Sequence, residues 1–271
     1  KFAGLERKSI KVGDHDIVYL EGGKGPTILM LHGITADSGN WTRFAGHYTG
    51  QYHVVIPDLP GFGDSSRIES ASYSIPAQTE RVHQLMQALG VSQFHLVGNS
   101  MGGYIGAYYA AHHPDQVLTL GLFDAAGVDS PHKTEFMTKL MSGDNQMLPK
   151  DREDFKRVLQ LVMEDPPFIP GMARDVLADK ALEHREFNRK VFNELQLQQL
   201  DLAPYLQKIK APTLLLWGDK DRVIDISSIE VFKHNLTAAK TTVSVLPQIG
   251  HLPMLEQPGE TAKRYSAFLG S

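Results

Sequence analysis

A serine flanked by glycines is the first feature of the chain that could do chemistry. It lies in the segment Gly98–Gly103, with the sequence GNSMGG, between the apolar run Phe94–Val97 and a stretch rich in small residues. A serine in a turn between a strand and a helix adopts a strained backbone that projects its hydroxyl outward, and side chains at the flanking positions would clash. The pattern predicts that Ser100 is a nucleophile rather than an incidental residue of a glycine-rich turn.

A serine hydroxyl needs a base, and the base needs a carboxylate to orient it. Of the 12 histidines, only His234 and His251 follow the candidate acids near the last strand-like runs. His234 falls in a helix-like stretch and is predicted to lie on the surface. His251 lies in a turn-rich loop directly after the strand-like run Thr241–Leu246, a position typical of catalytic loops. We therefore predict that His251 is the base.

Two aspartates compete for the role of the acid. Asp221 lies in a short loop at the end of the strand-like run Thr213–Trp217, where Asp219 is predicted to form the turn. Asp124 directly follows another strand-like run, Leu118–Phe123. Both aspartates lie between Ser100 and His251, so both are compatible with a triad whose order along the chain is serine, acid and histidine. Asp221 is the preferred acid, and Asp124 stays open as the alternative.

The oxyanion that forms during acyl transfer needs backbone N–H donors. Met101, directly after the serine, is predicted to supply one, and Ile34, in the turn after Thr27–Leu31, the other. His32, in the same turn, is predicted to be a structural histidine with its hydrogen bonds satisfied. Asp58 follows another strand-like run and is predicted to shape its loop, because no matching carboxylate or histidine indicates a metal.

The elements that must position these residues alternate between short apolar runs and amphipathic stretches. The runs have the length and continuity of parallel strands buried on both faces. Lys8–Val12 and Asp16–Glu21 flank a glycine and predict a β-hairpin, while Pro258 predicts the start of a last helix. The pattern predicts a doubly wound α/β fold with a mostly parallel sheet. Its six runs are Thr27–Leu31, His53–Pro57, Phe94–Gly98, Leu118–Phe123, Thr213–Trp217 and Thr241–Leu246.

One interval interrupts this alternation with helix patterns and turn signals only. We predict a core formed by residues 1–127 and 203–271, with a helical cap inserted at residues 128–202. Most methionines and phenylalanines of the cap are expected to pack it onto the core. A proline-broken segment, which no intact helix could include, holds Phe168, Ile169 and Met172. These three side chains are predicted to line a slot for an apolar acyl chain.

Composition excludes several classes of protein. The 271 residues carry a net charge of −4 with no basic stripe, which argues against nucleic-acid binding, and the absence of cysteine excludes disulfides and thiolate chemistry. No apolar run is long enough to span a bilayer, although contact with a membrane surface stays compatible with the sequence. The chain begins at Lys1 rather than at a methionine. If an N-terminal signal was removed, we expect a secreted, periplasmic or membrane-anchored protein; otherwise we expect a cytoplasmic one. The oligomeric state is left open.

Together these motifs resemble the α/β-hydrolase family over essentially the whole chain. Within that family, the chain is most similar to cold-adapted bacterial lipases and to monoacylglycerol lipases with a helical cap. The resemblance implies a carboxylic-ester hydrolase that works through an acyl-enzyme on small or lipid esters, with no cofactor or metal. The matching pieces are His32–Gly33, Asp58–Gly63, Gly98–Gly103, Asp124–Gly127, Pro166–Pro170, Trp217–Asp221 and Gly250–Met254.

Other activities on the same fold are the alternatives. Ser100 disfavours relatives with an aspartate nucleophile, such as dehalogenases and epoxide hydrolases. C–C bond hydrolases often share the GNSMGG elbow, but they typically have a Gly-Pro-Gly turn after the His-Gly pair and a tryptophan after the catalytic histidine. Here the chain has Ile34–Asp37 and Leu252 instead, which disfavours that activity. A ligand-binding homologue without turnover is the alternative from a different class.

Overall fold

The computed structural model describes residues 3–198 and 200–270. Its centre is an eight-stranded sheet with the strand order β1-β2-β4-β3-β5-β6-β7-β8. β1 and β2 form an antiparallel hairpin, β2 pairs antiparallel with β4, and the remaining neighbours are parallel. The strands are β1 (Leu5–Val12), β2 (His15–Gly22), β3 (Thr27–Leu31), β4 (His53–Pro57), β5 (Phe94–Asn99), β6 (Val117–Phe123), β7 (Thr213–Gly218) and β8 (Thr241–Leu246).

The predicted strands agree with those observed. All six apolar runs and both arms of the hairpin form strands, some extended by a residue or more. In β3, Leu29 and Leu31 contribute to the core on one face of the sheet, while Ile28 and Met30 contribute to the core on the other. This alternation follows from the two-residue period of a strand, and it explains why an internal strand reads as a continuous apolar run. The predicted α/β-hydrolase fold is confirmed.

Helices cover both faces of the sheet, and their starts follow ordinary capping rules. The Ser74 hydroxyl accepts a hydrogen bond from the Ala77 N–H, and Pro258 begins the last helix as predicted. None of the described helices is long and apolar enough to cross a membrane. A 3₁₀ helix spans Ser38–Trp41, and the α-helices are α1 (Thr42–Ala45), α2 (Ile75–Ala88), α3 (Met101–His112), α4 (Glu135–Met141), α5 (Arg152–Val162), α6 (Gly171–Glu183), α7 (Arg185–Gln198), α8 (Ala203–Leu206), α9 (Ser228–Asn235), α10 (Pro253–Glu256) and α11 (Pro258–Leu269).

Between β6 and β7 the chain forms α4 to α8, and the described residues of this interval contain no strand. α4, α5 and α7 contribute to a small apolar cluster, in which Phe136, Val162 and Phe192 pack with Val223 of the α/β core. This arrangement supports the proposal that residues 128–202 form a helical cap on the α/β core. Five of the ten methionine and phenylalanine side chains of this interval are buried, so burial in the cap accounts for half of the set rather than for most of it.

Buried histidines make the stability of the fold sensitive to acid. Burial lowers the pKa of His32, His95 and His113 in the folded chain below the ordinary histidine value of 6.5. As the pH falls through 6.5, these histidines bind protons in the unfolded chain but not in the folded chain. Their contribution to the free energy of unfolding therefore decreases. The raised pKa values of Asp124 and Glu256 act in the opposite sense, but the buried histidines are more numerous, so we expect the melting temperature to fall between pH 6.5 and pH 5.5, as thermal denaturation followed by circular dichroism would show. A melting temperature that is constant or higher at pH 5.5 would contradict this.

Candidate active site

Ser100 lies in the turn between β5 and the first turn of α3. Its backbone has φ 54° and ψ −117°, a conformation that an L-residue rarely adopts. Its N–H donates to the carbonyl of Phe123 at 3.1 Å, while its carbonyl accepts from the N–H groups of Tyr104 and Ala126. These bonds hold the strained turn in place, and the serine is 7% exposed. A conformation of this kind persists where the surrounding structure enforces it, as at catalytic turns.

Two glycines of this turn are required by the close approach of backbone. A Cβ atom on Gly98 would lie 2.2 Å from the carbonyl oxygen of Gly102, and one on Gly102 would lie 2.2 Å from the carbonyl oxygen of Leu31. Both distances are shorter than any real contact. Side chains at these two flanking positions would therefore clash with the backbone, as the sequence predicts. Because glycine has no side chain, α3 can approach the sheet closely.

His251 and Asp221 meet directly. The His251 Nδ1 lies 2.7 Å from the Asp221 Oδ2, and both side chains are almost completely buried. The other Asp221 oxygen, Oδ1, accepts from the backbone N–H groups of Val223 and Ile224 at 2.7 and 3.0 Å. The His251 Nε2 is buried and has no hydrogen-bond partner among the described residues. An imidazole oriented by a carboxylate, with its second nitrogen free, has the arrangement of a general base.

The turn between β3 and the 3₁₀ helix packs against the serine. A Cβ on Gly33 would lie 3.2 Å from the Ser100 Cβ, a contact tight enough to require a shift of one of the two residues. Ile34 lines the same cavity as Ser100, and Met101 is the first residue of α3, whose N–H has no acceptor within the helix. Both predicted oxyanion donors are therefore next to the serine, and their role stays a proposal.

His32 and Asp58 hold this turn, as predicted. His32 is fully buried; its Nδ1 donates to the Gly33 carbonyl at 2.7 Å and its Nε2 accepts from the Leu59 N–H at 2.9 Å. The Asp58 carboxylate accepts from the backbone N–H groups of Ser38 and Asp64. Both ring nitrogens of His32 are therefore occupied within the protein. His234, the other histidine near the last strands, is exposed on α9 as predicted.

The serine and the histidine share a cavity of about 710 Å³ between the core and the cap. Ile169 lines this cavity as predicted, but Phe168 and Met172 lie outside it, 92% and 84% exposed. The expectation that they line the acyl slot was therefore wrong in this structure, because the proline-broken segment turns these side chains to solvent. Much of the apolar lining comes instead from one face of α5, whose members are Phe155, Val158, Leu159 and Val162.

Two residues without a predicted role fix the histidine loop. The Asn99 Nδ2 donates to the carbonyls of Phe123 and His251, at 3.1 and 2.9 Å, and so joins the nucleophile turn to the base. The buried carboxylate of Glu256 accepts from the N–H of Gly250 and from two N–H groups of the cap, those of residues 164 and 165. Asn99 could have been noticed beside the serine, whereas a glutamate at the end of the short helix α10 gives no signal in the sequence.

Asp124, the alternative acid, is also part of this cluster. It is completely buried, and its Oδ1 accepts from the Gly218 N–H at 2.9 Å. Asp124, Asp221 and His251 each place one potential metal-ligand atom within 4.8 Å of the others, close enough to surround a cation. The His251 Nδ1 is already paired with Asp221, however, and among these contacts only Asp221 meets the imidazole at hydrogen-bond distance. The arrangement thus suits an acid–base pair better than a metal site.

Comparison with known proteins gives a consistent result. A family model described as "alpha/beta hydrolase fold" matches residues 26–258. "Lipase 1" of Psychrobacter immobilis is 37% identical, over 97% of this chain and 84% of that protein. "Monoacylglycerol lipase abhd6-B" of Xenopus laevis is 34% identical, over 99% of this chain and 83% of that protein. A solved structure of "a membrane phospholipase A, a novel bacterial virulence factor" has a TM-score of 0.97 and 47% identity, covering 99% of this chain and 87% of that one.

These relatives share one reaction class, the hydrolysis of carboxylic esters, and their names support that class for this chain. The family model covers most of the chain, and the identities exceed 30% over nearly its full length. The chain therefore belongs to the α/β-hydrolase family, as a hydrolase related to lipases.

Proposed function

We propose that the protein is a serine carboxylic-ester hydrolase of the lipase or monoacylglycerol lipase type, with Ser100 as nucleophile, His251 as base and Asp221 as acid. The observation that carries this proposal is the buried His251–Asp221 contact of 2.7 Å, with the unpartnered Nε2 beside the cavity that Ser100 also lines. The strained turn at Ser100 supports it, since such turns present a nucleophile.

In the proposed reaction, the His251 Nε2 takes the Ser100 proton while the serine oxygen attacks the ester carbonyl. Asp221 keeps the proton of the neutral imidazole on Nδ1 and stabilises the imidazolium. The N–H groups of Met101 and Ile34 bind the oxyanion, and each donor is worth about 3 kcal/mol of barrier. The tetrahedral intermediate collapses to an acyl-serine as His251 gives its proton to the leaving alcohol. Water, activated by the same imidazole, then attacks the acyl-serine and releases the fatty acid and the free serine.

The shape and lining of the cavity support an apolar acyl group. Its volume, about 710 Å³, lies in the range of pockets for small molecules and lipids. Phe155 and Leu159 of α5 face it from the cap, and Leu252 and Leu255 face it from the core. Burial of each methylene on such a surface gains about 0.8 kcal/mol, or roughly fourfold in binding. We therefore propose glycerolipids or similar esters with medium or long acyl chains as the substrate class.

The acyl preference can be measured on soluble p-nitrophenyl esters of increasing chain length. We expect kcat/KM to rise from acetyl to medium-chain esters by up to about fourfold per methylene. Phe155→Ala should flatten this rise and leave acetyl-ester turnover nearly unchanged, because the ring lines the cavity. Phe168→Ala is the matched control, since the same ring is lost from a side chain that is 92% exposed.

Equal profiles for the two variants would show that α5 does not contact the acyl chain. A wild-type profile that peaks at acetyl would replace the lipase assignment with a small-ester esterase. A panel of monoacylglycerol, phospholipid and emulsified triacylglycerol would then rank the natural ester classes. No turnover of any ester would instead favour a C–C bond hydrolase or a ligand-binding homologue.

A further inference from the structure

Asp124 is a buried carboxyl group that the proposed reaction does not use. It directly follows β6, it is 0% exposed, and its backbone has a positive φ of 46°. Its N–H donates to the Leu216 carbonyl and its Oδ1 accepts from the Gly218 N–H, both at 2.9 Å, so it is tied to β7. Its second oxygen, Oδ2, is buried and makes no hydrogen bond to any described donor. A buried carboxylate oxygen without a donor is costly and requires an explanation.

The explanation lies in the neighbouring carboxyl group. Atoms of Asp124, Asp221 and His251 lie within 4.8 Å of one another, so two buried acids share one small volume. Two adjacent carboxyl groups in such a site do not both ionise, because the like charges repel; one of them keeps its proton.

Hydrogen bonding decides which of the two is ionised. Asp221 accepts three hydrogen bonds, from the N–H groups of Val223 and Ile224 and from the His251 ring. Asp124 accepts one side-chain bond among the described residues, from Gly218. Donors stabilise the charged form of a carboxyl group, so the negative charge belongs on Asp221 and the proton on Asp124.

We propose that Asp124 is a positioning residue: it carries a proton on Oδ2 and donates it in a hydrogen bond to the Asp221 carboxylate, which it holds against His251. The proposal rests on the assignment of Asp221 and His251 to the triad. It gives the unpartnered Oδ2 a partner, which a purely structural bond to Gly218 would not. Burial raises the pKa of Asp124 well above its usual value, and the charges of Asp221 and Glu256 raise it further, in agreement with a neutral Asp124.

The protonation state can be tested without any enzyme assay. Infrared difference spectroscopy at pH 7, wild type minus Asp124→Asn, should contain the carbonyl stretch of a protonated carboxylic acid, shifted when the protein is exchanged into D₂O. An ionised Asp124 would give carboxylate bands only, and that result would overturn the proposal. Because the spectrum does not depend on turnover, it distinguishes this proposal from the proposed ester hydrolysis.

Activity tests the positioning role. Asp124→Asn retains an acceptor for Gly218 and a donor for Asp221, so kcat should stay within a few-fold of the wild type. Asp124→Leu has neither group, and loss of a hydrogen bond to a charged partner should lower kcat on the order of 10- to 100-fold, with KM little changed. Circular dichroism checks that each variant folds; if the leucine variant does not, the asparagine variant and the infrared spectrum still decide. An Asp124→Asn variant as inactive as Asp221→Asn, or a folded Asp124→Leu variant with wild-type kcat, would contradict the proposal.

Discussion

Ser100→Ala is expected to lower kcat for ester hydrolysis by about 10⁴-fold or more, because the proposed acyl-enzyme requires the Ser100 hydroxyl. The fold should persist, since alanine keeps the Cβ atom and the turn is held by backbone bonds to Phe123, Tyr104 and Ala126. Steady-state turnover of a p-nitrophenyl ester measures the loss, and thermal denaturation checks the stability.

A fluorophosphonate probe, which reacts with activated serines, provides an independent readout of the same prediction. It should label the wild type and leave Ser100→Ala unlabelled. Ser38→Ala is a suitable control, because this serine is also buried near the cavity but belongs to the 3₁₀ helix. If the Ser100→Ala variant were labelled at the wild-type rate, the nucleophile would have to be another residue.

Asp221→Asn is expected to lower kcat by roughly 10³- to 10⁴-fold. The amide would offer an N–H where His251 needs an acceptor, so the imidazole would favour the tautomer with its proton on Nε2. That tautomer cannot accept the serine proton. The variant keeps the shape of the side chain, and a melting temperature close to that of the wild type would attribute the loss to chemistry rather than to unfolding.

Asp124→Asn is the matched comparison for Asp221→Asn, because both aspartates are next to the same histidine and follow neighbouring strands. The wild-type 2.7 Å contact is made by Asp221, so the asparagine at position 124 should cost far less. If Asp124→Asn were the inactive variant and Asp221→Asn retained turnover, the catalytic acid would be the residue after β6.

Local sequence patterns were sufficient to predict the fold and the strained turn at Ser100. The continuous apolar runs predicted the strands because a parallel strand is buried on both faces, and the glycines around Ser100 predicted the elbow because a Cβ would clash there. Both signals depend on residues close together in the chain. The position of His251, in a loop after the last strand, could be predicted for the same reason.

The lining of the cavity depended on tertiary structure. The apolar residues of α5 recur at helical spacing, but such periodicity does not distinguish a helix face that packs on protein from one that borders a cavity. The exposed Phe168 and Met172 were assigned to the slot from their apolar character, whereas the path of the segment turns them to solvent. The apolar character of these two side chains can be read from the sequence, but the direction in which they point cannot.

The partner of the histidine was likewise decided only by the fold. Asp124 and Asp221 both follow strands, and their positions relative to His251 depend on how β6, β7 and β8 pair across distant parts of the chain. Asn99 gains its contact with the histidine loop in the same way, across 152 residues, and Glu256 joins that loop to the cap across 91 and 92 residues. The sequence by itself determined the fold and identified the proposed nucleophile and base, because each of these follows from a local pattern. The tertiary structure decided which carboxylate meets the base and what the substrate would contact, because those contacts join residues that are remote in sequence.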